Sequence, residues 1–68
     1  MIMFELVLTN GDSIVLNLIN IVYFKAFSEP NVTKVYTTSS FDPLYVAMNY
    51  EEFKKTVYSK VRIKIWLN

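Results

Sequence analysis

Apolar and polar residues alternate with a period of two from the start of the chain. Ile2, Phe4, Leu6 and Leu8 interleave with Met3, Glu5, Val7 and Thr9, which predicts a strand over residues 2–9 with one face turned to a core. Asn10-Gly11 follows and holds the only glycine. Both residue types tolerate positive φ, so the pair predicts a two-residue type I′ hairpin. Ile14, Leu16 and Leu18 then alternate with Ser13, Val15 and Asn17, predicting a second strand over 13–18.

Asn17 and Asn20 bracket Leu18-Ile19 and predict a sharp corner, because Asn side chains hydrogen-bond to nearby backbone in bends. A third strand is expected at 21–27, with Ile21, Tyr23, Lys25 and Phe27 on one face and Val22, Phe24 and Ala26 on the other. Both faces are largely apolar, the signature of a strand buried on two sides. The turn cluster Ser28-Glu29-Pro30-Asn31 precedes a β-branched and aromatic run, Val32 to Thr38, read as a fourth strand. A loop at 38–43 leads to a short fifth strand, Leu44 to Met48.

The period then changes. Tyr50, Phe53, Val57 and Val61 form one stripe at helical spacing. Asn49 suits the N-cap, Glu52 completes a capping box, and Met48 with Phe53 occupy the positions of a hydrophobic staple. A helix is expected over 50–60. In the tail, Val61, Ile63, Ile65 and Leu67 alternate with Arg62, Lys64 and Trp66, predicting a sixth strand at 62–67. The order β-β-β-β-β-α-β describes a single α+β domain over residues 1–68. Its expected form is a small bent antiparallel sheet or open barrel with one helix near the C-terminus.

Composition narrows the chemistry. The 68 residues include no His and no Cys, so the common transition-metal ligands, thiol nucleophiles, Ser-His triads and disulfides have no residues to build them. One glycine cannot make a glycine-rich phosphate loop. Glu51-Glu52 is accounted for by helix capping, and the hydroxyls of Thr37-Thr38-Ser39-Ser40 have no neighbouring base in sequence. The expectation is a protein that is not an enzyme and holds no cofactor or metal. The longest apolar stretch, Ile14 to Phe27, is interrupted by Asn17, Asn20 and Lys25 and falls short of a membrane span. Met1 to Leu8 carry Glu5 and no basic n-region, so a cytoplasmic location is expected.

Apolar residues reach 53% and charged residues only 19%, against about 45–50% and about 25% in an average globular chain. A domain of this size buries only about 60% of its extended surface. Excess apolar surface without a covalent staple predicts a homo-oligomer, with Tyr23, Phe27, Ile63, Ile65 and Leu67 as interface residues.

Charge is uneven although the net is only +1. Residues 1–24 hold Glu5 and Asp12 and no base, whereas Lys54, Lys55, Lys60, Arg62 and Lys64 crowd the last 15 residues without an acid. With Tyr58 and Trp66 interleaved, these residues form a candidate surface for an anionic partner. The preponderance of Lys over Arg favours an acidic protein surface over sequence-reading of nucleic acid.

Leu8-Thr9-Asn10-Gly11, Val15-Leu16-Asn17, Ile19 and Val22, Thr33 to Thr37, and Val46 through Glu51-Glu52 form an outline that resembles the small flagellar proteins of the FlbD type and their small relatives in bacteria and phages. The chain departs from that outline by its longer loop at 38–43 and its basic tail. The resemblance implies a small β-rich accessory protein and carries over no catalytic residue. The functional expectation is a small oligomeric interaction module, either a regulatory or inhibitory protein of phage type or a bacterial accessory factor, that binds a protein partner. The alternative is a nucleic-acid-binding protein that uses the basic helix and tail.

Overall fold

The computed structural model describes residues 2–61, the last of these by its backbone only. The fold is α+β: five strands in two small antiparallel sheets that do not close on themselves, and one helix at the C-terminal end of the described chain. β1 (Met3–Val7) and β2 (Ser13–Asn17) form the first sheet, and β3 (Ile21–Ala26), β4 (Thr33–Thr37) and β5 (Leu44–Val46) form the second in that order. The helix, α1, spans Tyr50–Val61. The sixth strand expected at 62–67 lies outside the described residues.

β1 follows its alternation, with Phe4 and Leu6 buried and Met3, Glu5 and Val7 outward. Phe4 pairs with Leu16 and Leu6 with Ile14, so both strands of the hairpin turn the same apolar face inward. The connection is one residue longer than Asn10-Gly11 alone predicts. The Leu8 amide donates to the Asp12 carbonyl (2.8 Å), the Gly11 amide to the Leu8 carbonyl (2.9 Å), and Gly11 sits at φ 95°. That is a three-residue loop, Thr9-Asn10-Gly11, in which a β-turn is followed by a left-handed residue. Only the glycine needs positive φ, and Asn10 instead accepts from the Asp12 amide at 2.9 Å.

The corner at Asn17–Asn20 is a single 3-10 turn, Leu18–Asn20. Asn17 Oδ1 accepts from the Ile19 amide (3.3 Å), and the turn is anchored at both ends: the Leu18 amide donates to the Ile2 carbonyl and the Thr38 amide to the Asn20 carbonyl. On the far side of the molecule the sheets are stitched through the extension of β1. Leu8 bridges to Val46, the Thr9 amide donates to the Tyr45 carbonyl (2.9 Å) and the Ala47 amide to the Val7 carbonyl (2.8 Å).

β3 departs from the expected two-sided burial. No residue in it is fully buried, and Val22, Tyr23, Lys25 and Ala26 are exposed. Only one face of the sheet meets the core, and the other face of β3 is left to solvent. A bulge also breaks its period: Ile21 pairs with Thr37 and Tyr23 with Tyr36, leaving Val22 as the extra residue. A bulge flips the facing of everything on one side of it. Ile21 therefore packs inward with Phe24 instead of sharing the face of Tyr23.

The helix closes the core. The Asn49 side chain accepts from the Glu52 amide at 3.0 Å, the N-cap that the sequence predicts. Phe53, fully buried, places its ring 4.9 Å from Phe24 of β3 and 6.3 Å from Phe4 of β1, so one side chain joins both sheets. Phe4, Leu6, Leu16, Val35, Val46, Phe53 and Val57 form a single cluster. A buried hydroxyl fixes the approach to the helix: Thr33, with no exposed surface, donates from Oγ1 to the Met48 carbonyl at 2.8 Å.

Candidate functional site

β4 separates two chemistries. Thr33, Val35 and Thr37 point inward and are buried, while Lys34 and Tyr36 point outward. Antiparallel pairing sets residues directly opposite each other on the same face, and the register therefore decides what joins Lys34 and Tyr36. Tyr23 lies opposite Tyr36, Lys25 opposite Lys34, and Tyr45 of β5 opposite Lys34 on its other side. Phe27, just past β3, leans over the same surface.

The rings on this outer face are in contact with one another and with the Lys34 ammonium. Tyr23 and Tyr36 stack with centroids 4.5 Å apart and planes 17° from parallel. Lys34 Nζ lies 5.7 Å from the Tyr36 ring centre and 5.8 Å from that of Phe27, within the range of cation–π attraction. Phe27 meets Tyr45 edge-on at 5.4 Å. Half of Tyr23 and 39% of Tyr45 remain open to solvent. Such contacts stabilise a sheet by about 0.5–1.5 kcal/mol per aromatic pair.

Lys25 opposite Lys34 works against that stabilisation, because like charges directly across a ladder repel. No acid relieves them: among the described residues the ion pair is Lys54 with Glu51, at 3.6 Å on the helix. The chain has seven bases. Five of them fall on the helix and tail, and the remaining two meet here, on adjacent strands and among four aromatic rings. The three strands that build the face contribute aromatics and cations and no carboxylate; the nearest acids in sequence, Glu29 and Asp42, lie in the flanking turns.

The residues proposed from sequence for partner binding are placed differently. At about 100° per residue, Lys54, Lys55 and Lys60 point in three directions round α1. Lys54 is held by Glu51 and lies 5.4 Å from the Tyr50 ring, and Lys60 reaches to within 5.9 Å of the Phe4 ring. Lys55 and Tyr58 are exposed. Arg62, Lys64 and Trp66, like the interface candidates Ile63, Ile65 and Leu67, lie outside the described residues. Of the remaining interface candidates, Tyr23 and Phe27 both belong to the aromatic face. Sequence reasoning found those two and missed Lys34, Tyr36 and Tyr45. The signal was present as matching alternations, Tyr23-x-Lys25-x-Phe27 and Lys34-x-Tyr36, on consecutive strands.

No family model, curated protein or solved structure matches the chain.

Other surfaces offer less chemistry. A shallow hollow of about 270 Å³ is lined by Thr37, Thr38, Ser39, Ser40 and Phe41. Its hydroxyls are already engaged: Thr37 with Ser39 (3.1 Å), Thr38 with Asn20 Oδ1 (3.4 Å), and Ser40 Oγ with the Asp42 amide (3.1 Å). Among the described residues no three carboxylates gather into a cation site. Among the same residues no helix is long and apolar enough to cross a membrane.

Proposed function

We propose that this chain is a non-enzymatic interaction module of the cytoplasm. It acts by binding an anionic macromolecule on the outer face of β3-β4-β5. The observation that supports this reading is the direct opposition of Lys25 and Lys34 among Tyr23, Phe27, Tyr36 and Tyr45. An arrangement that costs folding energy, with no ion pair to either lysine among the described residues, is what an anionic partner relieves. A regulatory or accessory role, and kinship with the small flagellar proteins of the FlbD type, belong to the same proposal; the kinship rests on the sequence pieces alone.

The test is an amide NMR titration of the full chain with polyanions of different backbone, a polyaspartate peptide among them. Shifts concentrated on residues 23–27, 34–36 and 45 are expected with at least one of them. Shifts confined to the helix, or none at all, would overturn the reading.

Self-association is a second reading, favoured by the position of β3 at the edge of its sheet with Val22 exposed. An open edge offers unpaired backbone groups to a second copy. Sedimentation at micromolar concentration is expected to show a dimer or larger species, and an 8.0 kDa particle would refute it.

A further inference from the structure

Accepting the binding face proposed above, we infer that its partner is single-stranded nucleic acid, held by stacking of bases on the open rings of Tyr23 and Tyr45 and by phosphate contacts to Lys25 and Lys34. The inference rests on the reading of that face and names its partner. An acidic protein surface would satisfy the two ammonium groups but makes little use of flat aromatic rings. A nucleic-acid single strand supplies both components in alternation, a phosphate and a planar base in every unit. The face repeats that alternation across the sheet, running from the Tyr23–Tyr36 stack through Lys34 to Phe27 and Tyr45.

Two strand spacings separate β3 from β5, about 10 Å. That width suits two or three bases, the number typically stacked on a sheet that carries outward aromatics. A duplex fits poorly, because its bases already stack on one another and present only edges. No Arg lies on the face, and no side chain there is arranged for paired hydrogen bonds to one base edge. Binding is therefore tolerant of sequence, as stacking is.

The inner face supports this surface without taking part in it. Phe24, Val35 and Leu44 pair across the same three strands and pack into the core, which holds the outward side chains in register. The cations are the groups to alter, since neither Lys25 nor Lys34 carries an ion pair among the described residues. Lys25→Glu removes the repulsion across the ladder, so it is expected to raise thermal stability while it weakens binding. A residue with a purely structural role would not separate those two effects.

The experiment is fluorescence anisotropy with the full chain and three labelled probes: a 15-mer of thymidylate, a blunt duplex of equal length, and a polyaspartate peptide of equal charge. The 15-mer is expected to bind tightest. Its affinity should fall with salt at a log–log slope of about −1.4 or steeper, from about −0.7 per neutralised phosphate. Lys25→Gln should make that slope shallower by about 0.7. Tyr23→Ala should cost about tenfold, the effect of one lost stacking partner, with circular dichroism confirming the fold. Lys55→Glu, on the helix, should leave affinity within twofold.

Polyaspartate binding to this face without the 15-mer overturns the inference and leaves the binding module standing. Duplex binding as tight as the 15-mer overturns it, since stacking on the face would then play no part. Loss of binding in Lys55→Glu with none in Lys25→Gln overturns it in favour of the helix. Silence with every probe overturns both the inference and the reading beneath it.

Discussion

The two sheets share one core but turn different surfaces to solvent. The outer face of β1–β2 carries Met3, Glu5, Val7, Ser13, Val15 and Asn17, without an aromatic or a cation. Its exposed apolar residues flank a single acid, an ordinary mixture for a protein surface. The outer face of β3-β4-β5 gathers Tyr23, Phe27, Tyr36 and Tyr45 around two lysines. Inward, the sheets are alike: Phe4, Leu6 and Leu16 from one meet Val35 and Val46 from the other around Phe53. Folding constrains the inner faces to similar chemistry because they fill the same volume. The outer faces answer to no such constraint, and the difference between them is the basis of the binding face proposed above.

The largest test of that comparison removes what the sheets share. Phe53→Ala vacates the ring that touches both Phe4 and Phe24, a loss of about 3–5 kcal/mol. A core of this size supplies about 3–5 kcal/mol in total, so circular dichroism is expected to show an unfolded chain. A cooperative melt near that of the parent would mean that the sheets hold together without the helix.

Thr33→Val acts on the second sheet alone. It keeps the buried shape and strips the Met48 carbonyl of its donor, with an expected loss of about 1–3 kcal/mol in urea unfolding. Thr33→Ser should recover part of that, since the hydroxyl returns. Asn49→Ala is expected to cost about 1 kcal/mol by removing the helix cap, with the first turn showing faster amide exchange.

The smallest effects sharpen the contrast most. Lys25→Glu places an acid opposite Lys34, and Val15→Lys places a cation opposite Glu5. Each exchange should stabilise its ladder by about 0.2–1 kcal/mol, measured by chemical denaturation. They are expected to part in binding, where the first weakens an anionic probe and the second leaves it unchanged. Equal effects on binding would erase the distinction between the faces.

Much of the fold is legible in the sequence, for a local reason. Strand alternation, the Asn17–Asn20 corner and the Asn49 cap each depend on residues within a few positions of one another, and the backbone realises them. The hairpin loop is legible only in kind. Asn10-Gly11 fits a two-residue and a three-residue turn alike, and the pairing of Leu6 with Ile14 selects the longer one.

What the tertiary structure decided is register and depth. A period-two reading cannot contain the bulge at Val22, because the extra residue is defined by the partner strand that fails to match it. Nor can it tell whether a second layer covers the outer face of a sheet, so the apolar residues of β3 suggest burial on both faces when one is open. The Thr33–Met48 bond joins residues fifteen positions apart, a closure that only packing selects. The candidate site has the same origin. Tyr23, Lys25, Lys34, Tyr36 and Tyr45 are each visible in the sequence, but three strands must pair in one register before they face the same solvent. Local chemistry chose the elements of this protein; the packing of one shared core chose which of their side chains were left at the surface.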